Sequence, residues 1–156
     1  AILELDTPYN KKFSIDSKEF EVPKTGDDVI SIGYPGIGMT YDQPTITEGI
    51  ISKVFNDDFG LFFTTAAINS GNSGGPIFNL NGKLVGVSVA ALDKEEWKKE
   101  TGVLPTDMGM AIKSNLIKTV FEFKKSIPIK SVKFDKVTIY EEMLPSVTLI
   151  AVLADE

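Results

Sequence analysis

Gly71-Asn72-Ser73-Gly74-Gly75-Pro76 places one serine between glycines. A turn of this kind carries a hydroxyl at its tip and almost no side chain around it. A substrate carbonyl can therefore approach the backbone closely. Successive N–H groups of such a turn can also converge on one point and stabilise a developing oxyanion. That is the geometry a serine nucleophile needs. A serine hydroxyl is nevertheless a weak nucleophile at neutral pH without a positioned base, and the usual base is an imidazole. The sequence contains no histidine. It offers the cradle of a nucleophile and withholds the base.

Taken alone, Ser73 would read as an ordinary turn serine. A glycine nest that binds an anion is a third reading, weakened because no lysine lies near Ser73 in sequence. Lys53 and Lys83 are the lysines that could be proposed as its base, and nothing in the sequence places either beside it. Asp27-Asp28 and Asp57-Asp58 are paired carboxylates in turn-like contexts. They lack the ligand spacing of a calcium loop and are read as turn chemistry.

Composition narrows the functions further. The chain has 156 residues and a formal net charge of −6, and all its basic residues are lysines. Bidentate recognition of phosphate or guanine favours arginine. An acidic chain without arginine is not read as a nucleic-acid binder. The absence of cysteine removes disulfides and thiol chemistry and leaves the compartment open. With histidine also missing, zinc has none of its preferred ligands. No metal or cofactor is expected. No apolar run approaches the roughly 20 residues of a membrane-spanning helix.

The elements that must hold the serine follow from apolar patterning. Val29 to Gly33 reads as a strand that ends at Tyr34-Pro35-Gly36. Thr45 to Val54 alternates and reads as a second strand. Asn56 to Gly60 is a hairpin turn, and Leu61 to Ala66 is the returning strand. After the serine loop come Ile77-Phe78, a tight turn at Asn79 to Gly82, and the apolar strand Leu84 to Ala90. Gly109 to Ile112 is one more short strand. Short strands punctuated by glycine turns indicate an antiparallel all-β barrel or sandwich. Lys113 to Lys125 carries an apolar stripe at helical spacing, with Ser114 as its N-cap. Asp93 to Glu100 is a charged loop or short helix. Ile127 to Tyr140 and Val147 to Leu153 are expected as strands. Ala1 to Leu5 reads as a core strand that opens without a cap.

These pieces, in this order, resemble the chymotrypsin-like (trypsin-like) serine proteases, and within them the HtrA-type branch. The resemblance rests on Val29 to Gly36, Thr47 to Ser52, Thr64 to Pro76, Gly82 to Val87 and Gly109 to Ile112. It covers roughly residues 1 to 125. It implies an all-β fold, the second six-stranded antiparallel barrel of a two-barrel protease, with a C-terminal helix. Residues 1–125 are then that barrel and its helix, and 126–156 a short β extension. The family keeps its histidine and aspartate on the first barrel. By the resemblance, the aspartate precedes a strand like Ala1 to Leu5, so both partners are expected ahead of Ala1.

The resemblance also implies roles. Ser73 is the catalytic nucleophile of a serine endopeptidase. Gly71, Asn72 and Ser73 form the oxyanion hole. Ala66, Ala67, Ile68, Val89, Ala90, Ala91 and Gly109 line the primary substrate pocket, which carries no acidic floor and favours a small or medium aliphatic side chain. For Ile68 and Val89, simple barrel core is an equally good reading. The partners expected are a protein or peptide substrate and the missing N-terminal protease half. The chain alone is expected to be inactive. The alternative is a non-catalytic binding or interaction module with the same fold. A barrel without its partner exposes apolar surface. Three coverings are expected: the C-terminal segment folding back, two copies pairing as a homo-oligomer, or the first half docking.

Overall fold

The computed structural model describes residues 20–35, 43–55, 60–91, 98–99, 108–120 and 134–147. Strands β1 (Asp28–Gly33), β2 (Thr45–Val54), β3 (Leu61–Thr64), β4 (Pro76–Asn79), β5 (Leu84–Ala91) and β6 (Gly109–Lys113) form one closed barrel in the order β1-β2-β3-β6-β5-β4. Every neighbouring pair is antiparallel, and β1 closes the ring by pairing Val29 with Asn79 and Ser31 with Ile77 on β4. The trypsin-like, all-β barrel expected from the sequence is the fold observed. The expected strands at Ala1 to Leu5 and beyond Val147, the turn at 56–59 and most of the charged stretch 93–100 lie outside the described residues.

Side-chain alternation splits the apolar residues into two cores. Val29, Ile51, Phe62, Ala66, Ile68, Ile77, Val85 and Ala111 fill the barrel interior. Ile30, Ile32, Phe78 and Leu84 point outward, and there they meet Ile139, Met143 and Val147. β1 is buried continuously from Val29 to Gly33, because both of its faces are covered. On β2, by contrast, Ile46, Glu48 and Ile50 face solvent while Gly49 faces Thr65 and Ala66, with no room for a Cβ.

At residues 136–143 the cover over the outer core differs from the strand expected there. Residues Lys136–Met143 form a helix, here α2, which continues into the 3-10 turn Leu144–Ser146. Val137 and Ile139 alternate with polar residues and, with Tyr140, carry β propensity, which favours a strand locally. Two features decide for helix instead. Asp135 caps the N-terminus by accepting the Thr138 N–H at 2.8 Å. Ile139 and Met143, four residues apart, then reach the same patch of barrel. Tertiary burial overrides local propensity at this point.

The helix expected over Lys113 to Lys125 begins as a 3-10 turn at Ser114–Leu116 and becomes helix α1 at Ile117–Val120. Its continuation from 121 is outside the described residues. Ser114 does not cap it: the first helical turn follows Lys113, and the Ser114 hydroxyl instead donates to Glu21 O at 3.2 Å.

Candidate active site

The serine lies in a turn between β3 and β4. Asn72 N–H donates to Asn69 O at 2.9 Å, and Gly75 N–H donates to Asn72 O at 2.8 Å. Gly71 and Gly74 have φ values of +96° and +85°. The back of the turn leans on the end of β1. A Cβ on Gly71 would run into Tyr34 O and stand 3.0 Å from Pro35 Cα. Gly33 has no side chain where Asn72 Oδ1 packs against it.

Strand β5 holds the other side. Gly74 N–H donates to Ser88 O at 2.7 Å, and Ser88 N–H donates to Gly75 O at 2.9 Å. The Ser88 hydroxyl lies 3.1 Å from Gly75 O and closer still to Asn72 O. Ser73 is exposed, and its hydroxyl donates to Val89 O at 2.6 Å. Among the described residues, no acceptor takes the N–H of Gly71 or of Ser73. Gly71 and Ser73 are two of the three residues expected in an oxyanion hole. The third, Asn72, spends its N–H on Asn69, and its buried side chain reaches Ala67 O with Nδ2 at 3.5 Å.

The residues expected to line a pocket gather at the same end of the barrel. Gly109 stands opposite Thr64 on β3 and opposite Ala91 on β5, so it lies between the two walls. Ala90, next to Ala91, pairs with Met110 after an irregularity in the ladder. Val89 is half-buried and Ala67 exposed. Ala66 and Ile68 are placed differently. Both belong to the interior core, and Ile68 packs its side chain into the space a Cβ on Gly109 would need. For Ile68, barrel core is therefore the reading that describes its surroundings. Lys53, one of the lysines considered as a base, holds its ammonium 4.6 Å over the Phe55 ring.

The sequence reading missed Ser88. It is the only polar residue in Leu84–Ala91, and that interruption of an apolar strand was the available signal.

The family model described as trypsin-like peptidase domain matches residues 1–87, a stretch that contains the serine turn. The chain belongs to the trypsin-like peptidases. Its curated relatives place it in the HtrA-type branch of these serine proteases. It is 32% identical over 127 residues to the periplasmic serine endoprotease DegP of Escherichia coli, covering 77% of this chain and 24% of that protein. It is 34% identical over 109 residues to the serine protease Do-like HtrA of Bacillus subtilis, covering 64% and 22%. It is 32% identical over 127 residues to the periplasmic pH-dependent serine endoprotease DegQ of Escherichia coli, covering 77% and 25%. This trypsin-like chain spans about a quarter of the length of those relatives.

Proposed function

We propose that this chain is the nucleophile-bearing barrel of a serine endopeptidase and that it is inactive by itself. The observation that carries the reading is the Ser73 turn: an exposed hydroxyl in a turn where, among the described residues, two N–H groups have no acceptor. Ser73 Oγ would attack the carbonyl carbon of a peptide bond. The hydroxyl proton would pass to an imidazole supplied by a residue outside these 156, since the sequence has no histidine, and a carboxylate, placed outside them by the family resemblance, would hold that imidazole in position. The N–H groups of Gly71 and Ser73 would receive the tetrahedral oxyanion. The imidazolium would then protonate the leaving amine, and water would release the acyl group by the same path in reverse. This chemistry needs no metal or cofactor. Ala67, Val89, Ala90, Ala91 and Gly109 would meet the substrate side chain, with Ala66 and Ile68 behind them.

The relatives' names describe serine endoproteases, which supports protein or peptide substrates here. The missing partner is an N-terminal protease half with histidine and aspartate. One observation favours the alternative of a trypsin-fold binding or interaction module: Ile68, expected to line the pocket, belongs to the buried barrel core. Hydrolysis of an unfolded protein decides between them. The chain assembled with a histidine-bearing half should cleave it, while the chain alone and the assembled Ser73→Ala variant should not. No cleavage by the assembled wild type would favour the interaction module.

A further inference from the structure

Ser88 is 1% exposed, and among the described residues its hydroxyl acts as a donor. It reaches out of its own strand to the turn that carries Ser73. Its contacts there are with Asn72 O and Gly75 O. Its own N–H and C=O bind the same turn through Gly75 O and Gly74 N–H, at 2.9 and 2.7 Å. A hydroxyl has one proton to donate. Gly75 O already accepts the Ser88 N–H. The closer of the two hydroxyl contacts is to Asn72 O.

The consequence follows from peptide geometry. The described peptide bonds are all trans, so the C=O and N–H of one peptide unit point in opposite directions. Asn72 O and Ser73 N–H belong to the same unit. Asn72 O is held inward, against a buried hydroxyl on β5. The Ser73 N–H must then point the opposite way, to the exposed side where the Ser73 hydroxyl lies. Gly75 N–H also bonds Asn72 O, but it belongs to the same turn and can move with it. Ser88 is the tie from a different element. Rotating this peptide by half a turn would put a carbonyl oxygen where the substrate oxyanion must sit, and would bury an N–H in its place.

We infer that Ser88 is a positioning residue for peptide hydrolysis, its hydroxyl holding the Asn72–Ser73 peptide in the orientation that presents the Ser73 N–H to the oxyanion. The inference rests on the proposed role of Ser73. A donor to the oxyanion acts in the transition state and not on bound substrate. Loosening it should therefore lower kcat and leave KM in place.

The test uses the protease assembled with its histidine-bearing half. Ser88→Ala should lower kcat about ten- to hundredfold, less than the roughly 10²- to 10³-fold cost of deleting an oxyanion donor outright. KM should change by less than about threefold on the same reasoning. Affinity for a peptide boronate, whose tetrahedral adduct occupies the oxyanion site, should fall in step with kcat. Ser88→Thr and Ser88→Val add the same bulk and differ by the hydroxyl alone. The threonine variant should recover most of kcat, and the valine variant should not. This pair keeps the comparison available if removing the side chain harms folding. Equal kcat for threonine and valine, or wild-type kcat in Ser88→Ala, overturns the role of Ser88. Hydrolysis that survives Ser73→Ala, or none in the assembled wild type, overturns the nucleophile reading instead.

Discussion

Two constraints meet at Gly71. Its φ of +96° lies in the left-handed region. A side chain there would also strike the Tyr34 carbonyl. Gly74 shares the first constraint, with φ +85°, but has open space around it. The pair separates backbone strain from collision. Gly74→Ala should cost about 1–3 kcal/mol from strain alone. Gly71→Ala should cost more, because the turn must also leave its seat on Tyr34 and Pro35. Urea unfolding of both variants measures the difference, and equal losses would contradict the seat. The glycines and Ser73 were legible in the sequence because turn chemistry is local. Ser88 was not, because its importance comes from a neighbour sixteen positions away. Ala66 and Ile68 were assigned to the pocket on order along the chain, whereas burial inside the barrel is decided by which way each side chain points.

Helix α2 behaves as a strap on the outside of the barrel. The ion pair of Lys136 with Glu48 is exposed on both sides and contributes little. The packing of Ile139 and Met143 on Ile30, Ile32 and Phe78 is what holds it. Ile139→Ala should destabilise the chain by about 2–5 kcal/mol, read from denaturant midpoints. A value near zero would mean that α2 is not docked as described. The cap adds a pH dependence. Hydrogen bonds to Asp135 from Thr138 hold its carboxyl below the ordinary value of 3.8. A lowered carboxylate stabilises the fold above that value, and the contribution is lost as pH falls through the lower, folded one. The Thr138 amide resonance should therefore titrate with a midpoint below 3.8 and lose that titration in Asp135→Ala. A midpoint above the ordinary value would contradict the cap. The strands of the barrel were readable because each carries its own alternation between glycine turns. For α2 the local pattern pointed to a strand, and the partner surface that decides for helix lies far earlier in the chain, on β1 and β4.

The whole molecule combines a helix-covered barrel with an exposed, neutral serine hydroxyl. The C-terminal segment lies over β1 and β4 as a helix. The serine turn lies at another part of the same barrel, held by β5. There the Ser73 proton has a carbonyl as its acceptor, Val89 O at 2.6 Å. A carbonyl can accept a hydrogen bond but is far too weak a base to take the proton. Ser73 is therefore held as a neutral alcohol, and on the proposed reading it would stay so until an imidazole is supplied. Residual acceleration from an oxyanion site without a complete triad is roughly 10³- to 10⁴-fold over water, too little to detect against slow uncatalysed amide hydrolysis. The chain alone should react with a fluorophosphonate probe no faster than its Ser73→Ala variant. Adding a histidine-bearing half should raise labelling steeply and confine it to Ser73, identified by mass spectrometry of the labelled peptide. Rapid labelling of Ser73 in the chain alone would require a base within these 156 residues, and would overturn the view that the proton must leave by way of another part of the protease.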